Sequence, residues 1–141
     1  MSTDSPDFWN EAWSEASATG SGSDEILACQ VKHLVPKHAL DIGCGLGWNA
    51  VWLAENGWEV TAVDYSQVAI EKAKQLADER GVTVEFVVAD ASTYRPSGQF
   101  ELITSFFIQL FPEQRAAMLA NMSQALVPGG TLLIVSHDRS G

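Results

Sequence analysis

Residues 39–49, ALDIGCGLGWN, constrain this chain more than any other stretch. Residues 39–42 form a short apolar run fit for a buried strand, and a helical pattern begins at about Trp48. Between them, Gly43, Gly45 and Gly47 permit a sharp turn and let a ligand approach the backbone with no Cβ in the way. A helix that starts directly after such a turn aims unpaired N–H groups and a partial positive charge at whatever sits above it. Phosphates and carboxylates are the usual occupants. The nicotinamide dinucleotide fingerprint requires G-x-G-x-x-G, and its third glycine would fall at Trp48. An oxidoreductase built on this turn is therefore disfavoured.

Around the turn, helical and strand patterns alternate. Residues 6–18 place Phe8, Trp9, Ala12, Trp13 and Ala16 on one helical stripe. This helix either docks on the domain surface or forms a lid over a ligand cleft, and both readings stay open. Residues 17–23 (SATGSGS) read as a flexible connector, so residues 1–22 stand apart from a domain spanning 23–141. Ser23 suits the cap of the next helix, with Asp24 and Glu25 in its first turn. Its apolar face is Ile26, Leu27, Val31 and Leu34, and Pro36 ends it. Past the glycine turn, residues 49–56 predict a helix that buries Ala50, Val51, Leu53 and Ala54, stopped by Gly57.

A second strand over 58–63 ends in Asp64. A long helix over 66–80 turns Val68, Ala69, Ala73, Leu76 and Ala77 inward and closes at Gly81. Residues 82–88 predict a third strand ending at Ala89-Asp90, and 100–105 a fourth ending at Ser105. Pro112 opens a helix that runs to about Leu126. Pro128-Gly129-Gly130 is expected to break it ahead of a fifth strand over 131–136. The alternation predicts the α/β class, a parallel sheet with helices on both faces.

A chain of 141 residues is enough for one domain with a sizeable core. Its net charge of −10 repels nucleic acid and anionic membranes, so neither is an expected partner. No apolar run approaches the roughly 18 residues a membrane span needs. The opening MSTDSPDFWNEAW is neither a signal nor a transit peptide, which makes a cytoplasmic location the default expectation. Cys29 and Cys44 give no disulfide framework and are expected as free thiols, Cys44 as a small filler under the turn. His33 and His38 flank the first strand at the amino end of the sheet and read as structural. No metal site is expected.

In a doubly wound sheet the ligand lies beyond the carboxyl ends of the strands, where strand order reverses. The polar groups at those ends are the glycine turn, Asp64, Asp90, Ser105 and the pair His137-Asp138. Each has a structural reading as well: Asp41 as a brace for the turn, Asp64 as a solvated strand end, residues 90–93 as an N-cap and turn. Together, Asp41-x-Gly43-x-Gly45-x-Gly47 followed by Asp64 and Asp90 at the next two strand ends resembles the class I S-adenosylmethionine (SAM)-dependent methyltransferases. Residues 126–135, LVPGGTLLIV, are also similar to that family's entry into its fifth strand.

The resemblance implies a three-layer α/β/α, Rossmann-like core with a doubly wound sheet of five strands in order 3-2-1-4-5. It implies SAM as cofactor and S-adenosylhomocysteine as product. By it, the backbone of Gly43, Cys44, Gly45 and Gly47 faces the methionine part of SAM, with Asp41 steering the sulfonium. Asp64 takes both ribose hydroxyls, and Tyr65, followed by Ser66, packs beside the adenine. Asp90 accepts from the adenine amino group, the Ala91 N–H reaches a ring nitrogen, and Ser105 lines the same site.

The strand-four exit, Ser105-Phe106-Phe107-Ile108-Gln109, lacks the [D/N]-P-P-[Y/F] of amino-methyltransferases and the acidic ligand of metal-dependent catechol methyltransferases. The chain also lacks a Pro-Cys pair for attack on cytosine. What remains is similar to the small-molecule branch, including the tellurite-resistance and thiopurine types, whose aromatic-Trp-Asn opening Phe8-Trp9-Asn10 matches. No catalytic residue is assigned; His137 is the general-base candidate at the strand ends. The family normally continues with a helix and two more strands, so the expectation is either a truncated enzyme or a chain that completes its sheet by association along the fifth strand. Two functions stay open: methyl transfer to a small molecule, or a module that binds SAM or S-adenosylhomocysteine without turnover.

Overall fold

The computed structural model describes residues 25–106 and 110–135. The N-terminal aromatic helix and connector, the Ser23 cap with Asp24, the exit residues 107–109, and Ser136, His137 and Asp138 lie outside the described residues. Within them the order of elements is α1 (Glu25–Val31), β1 (His38–Ile42), α2 (Trp48–Glu55), β2 (Glu59–Asp64), α3 (Gln67–Arg80), β3 (Val84–Val88), β4 (Phe100–Phe106), α4 (Pro112–Ala125) and β5 (Leu126–Val135).

The five strands form one sheet in the order β3-β2-β1-β4-β5 with every neighbouring pair parallel, the doubly wound arrangement expected. β1 and β4 are buried almost throughout because both of their faces are covered. Side chains alternate across the sheet. On one face, Ala39, Val60, Ala62 and Leu102 pack with Leu27 and Val31 of α1 and Ala50 and Leu53 of α2. Val51 of that helix joins Leu76 and Ala77 of α3. On the other face, Leu40, Ile42, Val63 and Ile103 pack against Met118, Met122 and Ala125 of α4. Among the described residues, no helix is long and apolar enough to cross a membrane.

Several boundaries differ from expectation for identifiable reasons. β2 and β3 each begin later because the residue after the helix-closing glycine is tied back to the helix. The Trp58 N–H donates to the Leu53 carbonyl and the Val82 N–H to the Ala77 carbonyl, both at 3.0 Å. α1 stops at Val31, well before Pro36, and Ile26 is 44% exposed, because only Leu27 and Val31, one turn apart, face the sheet. In α3, Ile70 is buried and Val68 only half-buried.

Pro128-Gly129-Gly130 does not separate helix from strand. α4 ends at Ala125, and β5 already starts at Leu126 and runs through the three residues. Leu126 pairs with Phe100 and Thr131 with Leu102, so the extra residues are carried as an irregularity in the ladder. β5 is an edge strand of the described sheet, with Leu132 and Ile134 exposed.

At the amino end, His38 lies between two carboxylates. Its Nε2 is 2.9 Å from Glu59, the first residue of β2, and its Nδ1 is 3.1 Å from Glu101 of β4. The histidine expected to be structural thus ties three strand starts together, on the side of the sheet away from the glycine turn.

Candidate functional site

The reversal of strand order falls between β1 and β4, since β2 and β3 extend to one side of β1 and β4 and β5 to the other. The crevice predicted by that topology opens at the carboxyl ends of those two strands. There Gly43, Gly45 and Gly47 have φ of 77°, 55° and 88°, so each of the motif's glycines occupies the left-handed region. Gly47 has a second reason to lack a side chain: a Cβ on it would lie 2.7 Å from the Cβ of Ala73 in α3. Trp48 then opens α2 with its ring under the Arg80 guanidinium, 5.6 Å from the ring centroid, and packs beside α3.

β2 anchors the turn. The Gly43 and Cys44 N–H groups donate to the Val63 carbonyl at 2.7 and 3.0 Å. The Gly45 N–H donates to Asp64 Oδ2 at 2.9 Å, and the Gly47 N–H to the Cys44 carbonyl at 3.0 Å. These bonds correct one expectation: Asp41 is not the brace of these amides. Its carboxyl, 2% exposed, instead accepts from Thr104 Oγ1 at 2.9 Å. Thr104 lies opposite Asp41 in the β1–β4 register. Nothing in the local sequence marks Thr104; its importance comes from a pairing across 63 positions.

Asp64 receives the Ser66 N–H on Oδ1 at 2.9 Å, while Ser66 caps α3 by accepting from the Ala69 N–H at 3.1 Å. Burial raises the Asp64 carboxyl above its ordinary value, opposed by the N–H groups of Ser66, Gly45 and Tyr65. Burial also lifts Asp41 from 3.8 to about 7, with the Thr104 hydroxyl opposing and the Asp64 charge adding to the rise. Burial, then the charges of Asp64 and Asp41, push the Cys44 thiol well above its usual range. A thiol so raised is a poor nucleophile. Half-buried against the core under the turn, it is the filler expected, and both cysteines are free.

Beyond β3, Asp90 forms the turn of its structural reading. Its Oδ1 accepts from the Ser92 N–H at 2.8 Å and the Ser92 hydroxyl at 2.7 Å, and its carbonyl accepts from the Thr93 and Tyr94 N–H groups. Ala91 is buried beside it. Asp41, Asp64 and the turn are thus joined by the pairing of β1 with β2, whereas Asp90 and Ala91 stand one strand further out.

Ser105 pairs with Ile42, the last residue before the turn. It is 0% exposed, and its hydroxyl has no hydrogen-bond partner. An unsatisfied buried hydroxyl costs about 1–3 kcal/mol. Ser105→Ala is therefore expected to leave the ligand-free protein as stable or about 1 kcal/mol more stable in urea denaturation. A clear loss of stability would mean that the hydroxyl is satisfied in solution. Among the described residues, no group of three His, Cys, Asp or Glu side chains is placed to hold a metal ion.

Comparison with known proteins points in one direction. Residues 39–130 match a family described as methyltransferase domain. The chain is 33% identical over 125 residues to the 2-heptyl-1-hydroxyquinolin-4(1H)-one methyltransferase of Mycobacteroides abscessus, covering 86% of this chain and 55% of that protein. It is 30% identical over 105 residues to a ubiquinone biosynthesis O-methyltransferase of Coxiella burnetii, covering 74% and 45%. Among solved structures, the TehB-like SAM-dependent methyltransferase of Corynebacterium glutamicum superposes with a TM-score of 0.69 at 28% identity, covering 92% of this chain and 71% of that one. The chain spans about half the length of the curated relatives it matches. With the matched region running from β1 through the glycines of β5, the chain belongs to the methyltransferase-domain family.

Proposed function

We propose that this chain is the cofactor-binding domain of a SAM-dependent methyltransferase that modifies a small molecule. The observation that carries this reading is the Asp64 carboxylate, fixed by the Gly45 and Ser66 N–H groups at the carboxyl end of β2, beside the left-handed glycine turn. A carboxylate offers about four acceptor positions, enough to hold ribose hydroxyls as well as backbone. The chain's residues also suit the charge of the ligand. SAM is a sulfonium cation, and the buried charged side chains at the turn, Asp41 and Asp64, are both acids.

In this reading the backbone at Gly43, Cys44, Gly45 and Gly47 carries the methionine portion. Tyr65 and Ser66 follow Asp64, which takes the ribose hydroxyls, Asp90 and Ala91 receive the adenine, and the Ser105 hydroxyl finds its missing partner in the bound ligand. When bound, SAM supplies an already activated methyl group. The protein's task is to align the acceptor and exclude water. A small-molecule acceptor fits the net charge of −10. Free thiols at Cys29 and Cys44 suit a reducing, cytoplasmic setting.

Calorimetric titration with SAM and S-adenosylhomocysteine tests the proposal. Saturable binding is expected, and Asp64→Ala should weaken it by at least about 100-fold, since two charge-assisted hydrogen bonds of about 1.5–3 kcal/mol each are lost. Asp64→Asn, which keeps one acceptor oxygen for the Gly45 or Ser66 N–H, should fall between. Folded wild-type protein that binds neither ligand would overturn the reading.

A further inference from the structure

We infer that Thr104 is a positioning residue whose hydroxyl holds the Asp41 side chain in both of its protonation states, and so sets the preference of the site for a sulfonium ligand over the neutral thioether left after methyl transfer. The inference rests on the SAM reading of the site.

The geometry that carries it is a hydroxyl between two acceptors. Thr104 Oγ1 is 2.9 Å from Asp41 Oδ1 and 3.4 Å from the Leu40 carbonyl oxygen, and the side chain is fully buried. A threonine hydroxyl has one proton to give and two lone pairs to receive with. With Asp41 ionised, Thr104 donates to the carboxylate. With Asp41 protonated, the carboxyl O–H donates to Thr104 Oγ1, and the threonine proton turns to the Leu40 carbonyl in a longer, weaker bond. Both states are satisfied by rotation of one O–H, with no movement of the backbone.

Asp64 has no such freedom. Its oxygens receive the Gly45 and Ser66 N–H groups, which can only donate and so favour its anion against the burial that raises it. Of the two acids, Asp41 is the one built to carry a proton. The other titratable groups that face it are Asp64 from β2 and the Cys44 thiol from the turn. β4 presents the neutral Thr104, while α1 and α2 cover this face of the sheet with Leu27, Val31, Ala50 and Leu53. Among the described residues no base faces these two acids, so a proton on Asp41 relieves the crowding of negative charge. Burial first, and the Asp64 charge after it, raise its carboxyl from 3.8 to about 7.

A bound sulfonium takes over that role. Asp41 then gives its proton to the solvent and remains as the anion opposite the cation, one proton released for each site that was protonated. S-adenosylhomocysteine lacks the positive charge and does not drive the release. The preference for SAM over S-adenosylhomocysteine therefore rises with pH until Asp41 is already ionised in the free protein.

The test is calorimetric titration with each ligand from about pH 5.5 to about 7.5, in buffers of different ionisation enthalpy so that released protons are counted. Wild-type protein is expected to release more protons with SAM than with S-adenosylhomocysteine, and its affinity ratio should rise severalfold per pH unit. Thr104→Val removes the hydroxyl while keeping the shape. It should weaken SAM binding about tenfold near neutral pH and move the rise to higher pH, with S-adenosylhomocysteine affinity nearly unchanged. Thr104→Ser should restore the wild-type profile, and Asp41→Asn should abolish the pH dependence. Equal proton release with the two ligands in wild-type protein overturns the inference and needs no variant to show it. So does a Thr104→Val protein with an unchanged ratio and profile. Both results leave SAM binding standing, whereas failure of folded wild type to bind SAM refutes the underlying reading itself.

Discussion

Gly47→Ala is expected to destabilise the fold by roughly 2–5 kcal/mol, the sum of backbone strain and overpacking. At φ of +88° an L-residue loses about 1–2 kcal/mol to contact between its Cβ and its own carbonyl. The new Cβ would also sit 2.7 Å from the Ala73 Cβ and 3.1 Å from the Ala73 Cα. Neither atom is the end of a flexible side chain, because Ala73 is buried in the middle of α3. Relief requires moving that helix or the turn, and moving the turn disturbs the Gly45 N–H that fixes Asp64. Gly81→Ala is the control. Its φ of +68° imposes similar strain, but nothing lies within 4 Å of the added Cβ. Urea midpoints of the two variants separate strain from overpacking. Equal losses would mean that α3 does not press on the turn in solution.

The second large effect is on stability as a function of pH. Asp41 in the folded chain titrates at about 7 against an ordinary value of 3.8. Between those values the folded state holds a proton that the unfolded chain has lost. Stability of the ligand-free protein therefore falls as pH rises from about 4 to about 7 and levels off above. At about 1.4 kcal/mol per unit, the fall is on the order of 4 kcal/mol at most. The burial-raised carboxyl of Asp64 adds in the same direction. Glu101 acts oppositely: the His38 N–H lowers its carboxyl, so the stability it adds is present above its ordinary value of 4.5 and is lost in acid. Partly exposed to solvent, it does not cancel the buried acid.

Asp41→Asn keeps an acceptor for the Thr104 hydroxyl and removes the charge. The variant is expected to match wild type near pH 4 and exceed it by a few kcal/mol near pH 8. Denaturant unfolding across that range measures both arms. A wild-type protein whose stability is flat or rising from pH 4 to 7, with Asp41→Asn no different, would place Asp41 in contact with solvent or with a cation.

Much of this architecture was legible in residues 39–64, because the signals there are local. Three glycines at alternate positions after a buried strand permit a sharp turn, and the structure has the turn there, with all three at positive φ. Apolar runs ended by glycines and prolines marked the five strands and four helices found among the described residues. Asp64 stood out because it closes an apolar run, and it does close β2. The order β3-β2-β1-β4-β5 followed from resemblance to a family whose topology such a pattern implies.

What sequence could not supply were facts set by register between distant segments. β5 begins at Leu126, through a Pro-Gly-Gly that locally reads as a break, because Phe100 on β4 offers Leu126 a partner. Trp58 and Val82 look like strand residues by composition, yet their N–H groups remain with the preceding helices. Asp41 reads from its neighbours as a brace for the glycine turn. In the folded chain the turn's amides go to Val63 and Asp64, and Asp41 is left facing Thr104. Local sequence determines which backbone conformations a segment can adopt, and that was enough for the turn and the elements. Which polar group meets which across the sheet depends on how those elements align, and only the tertiary structure decides whether a buried acid is braced, paired or left to hold a proton.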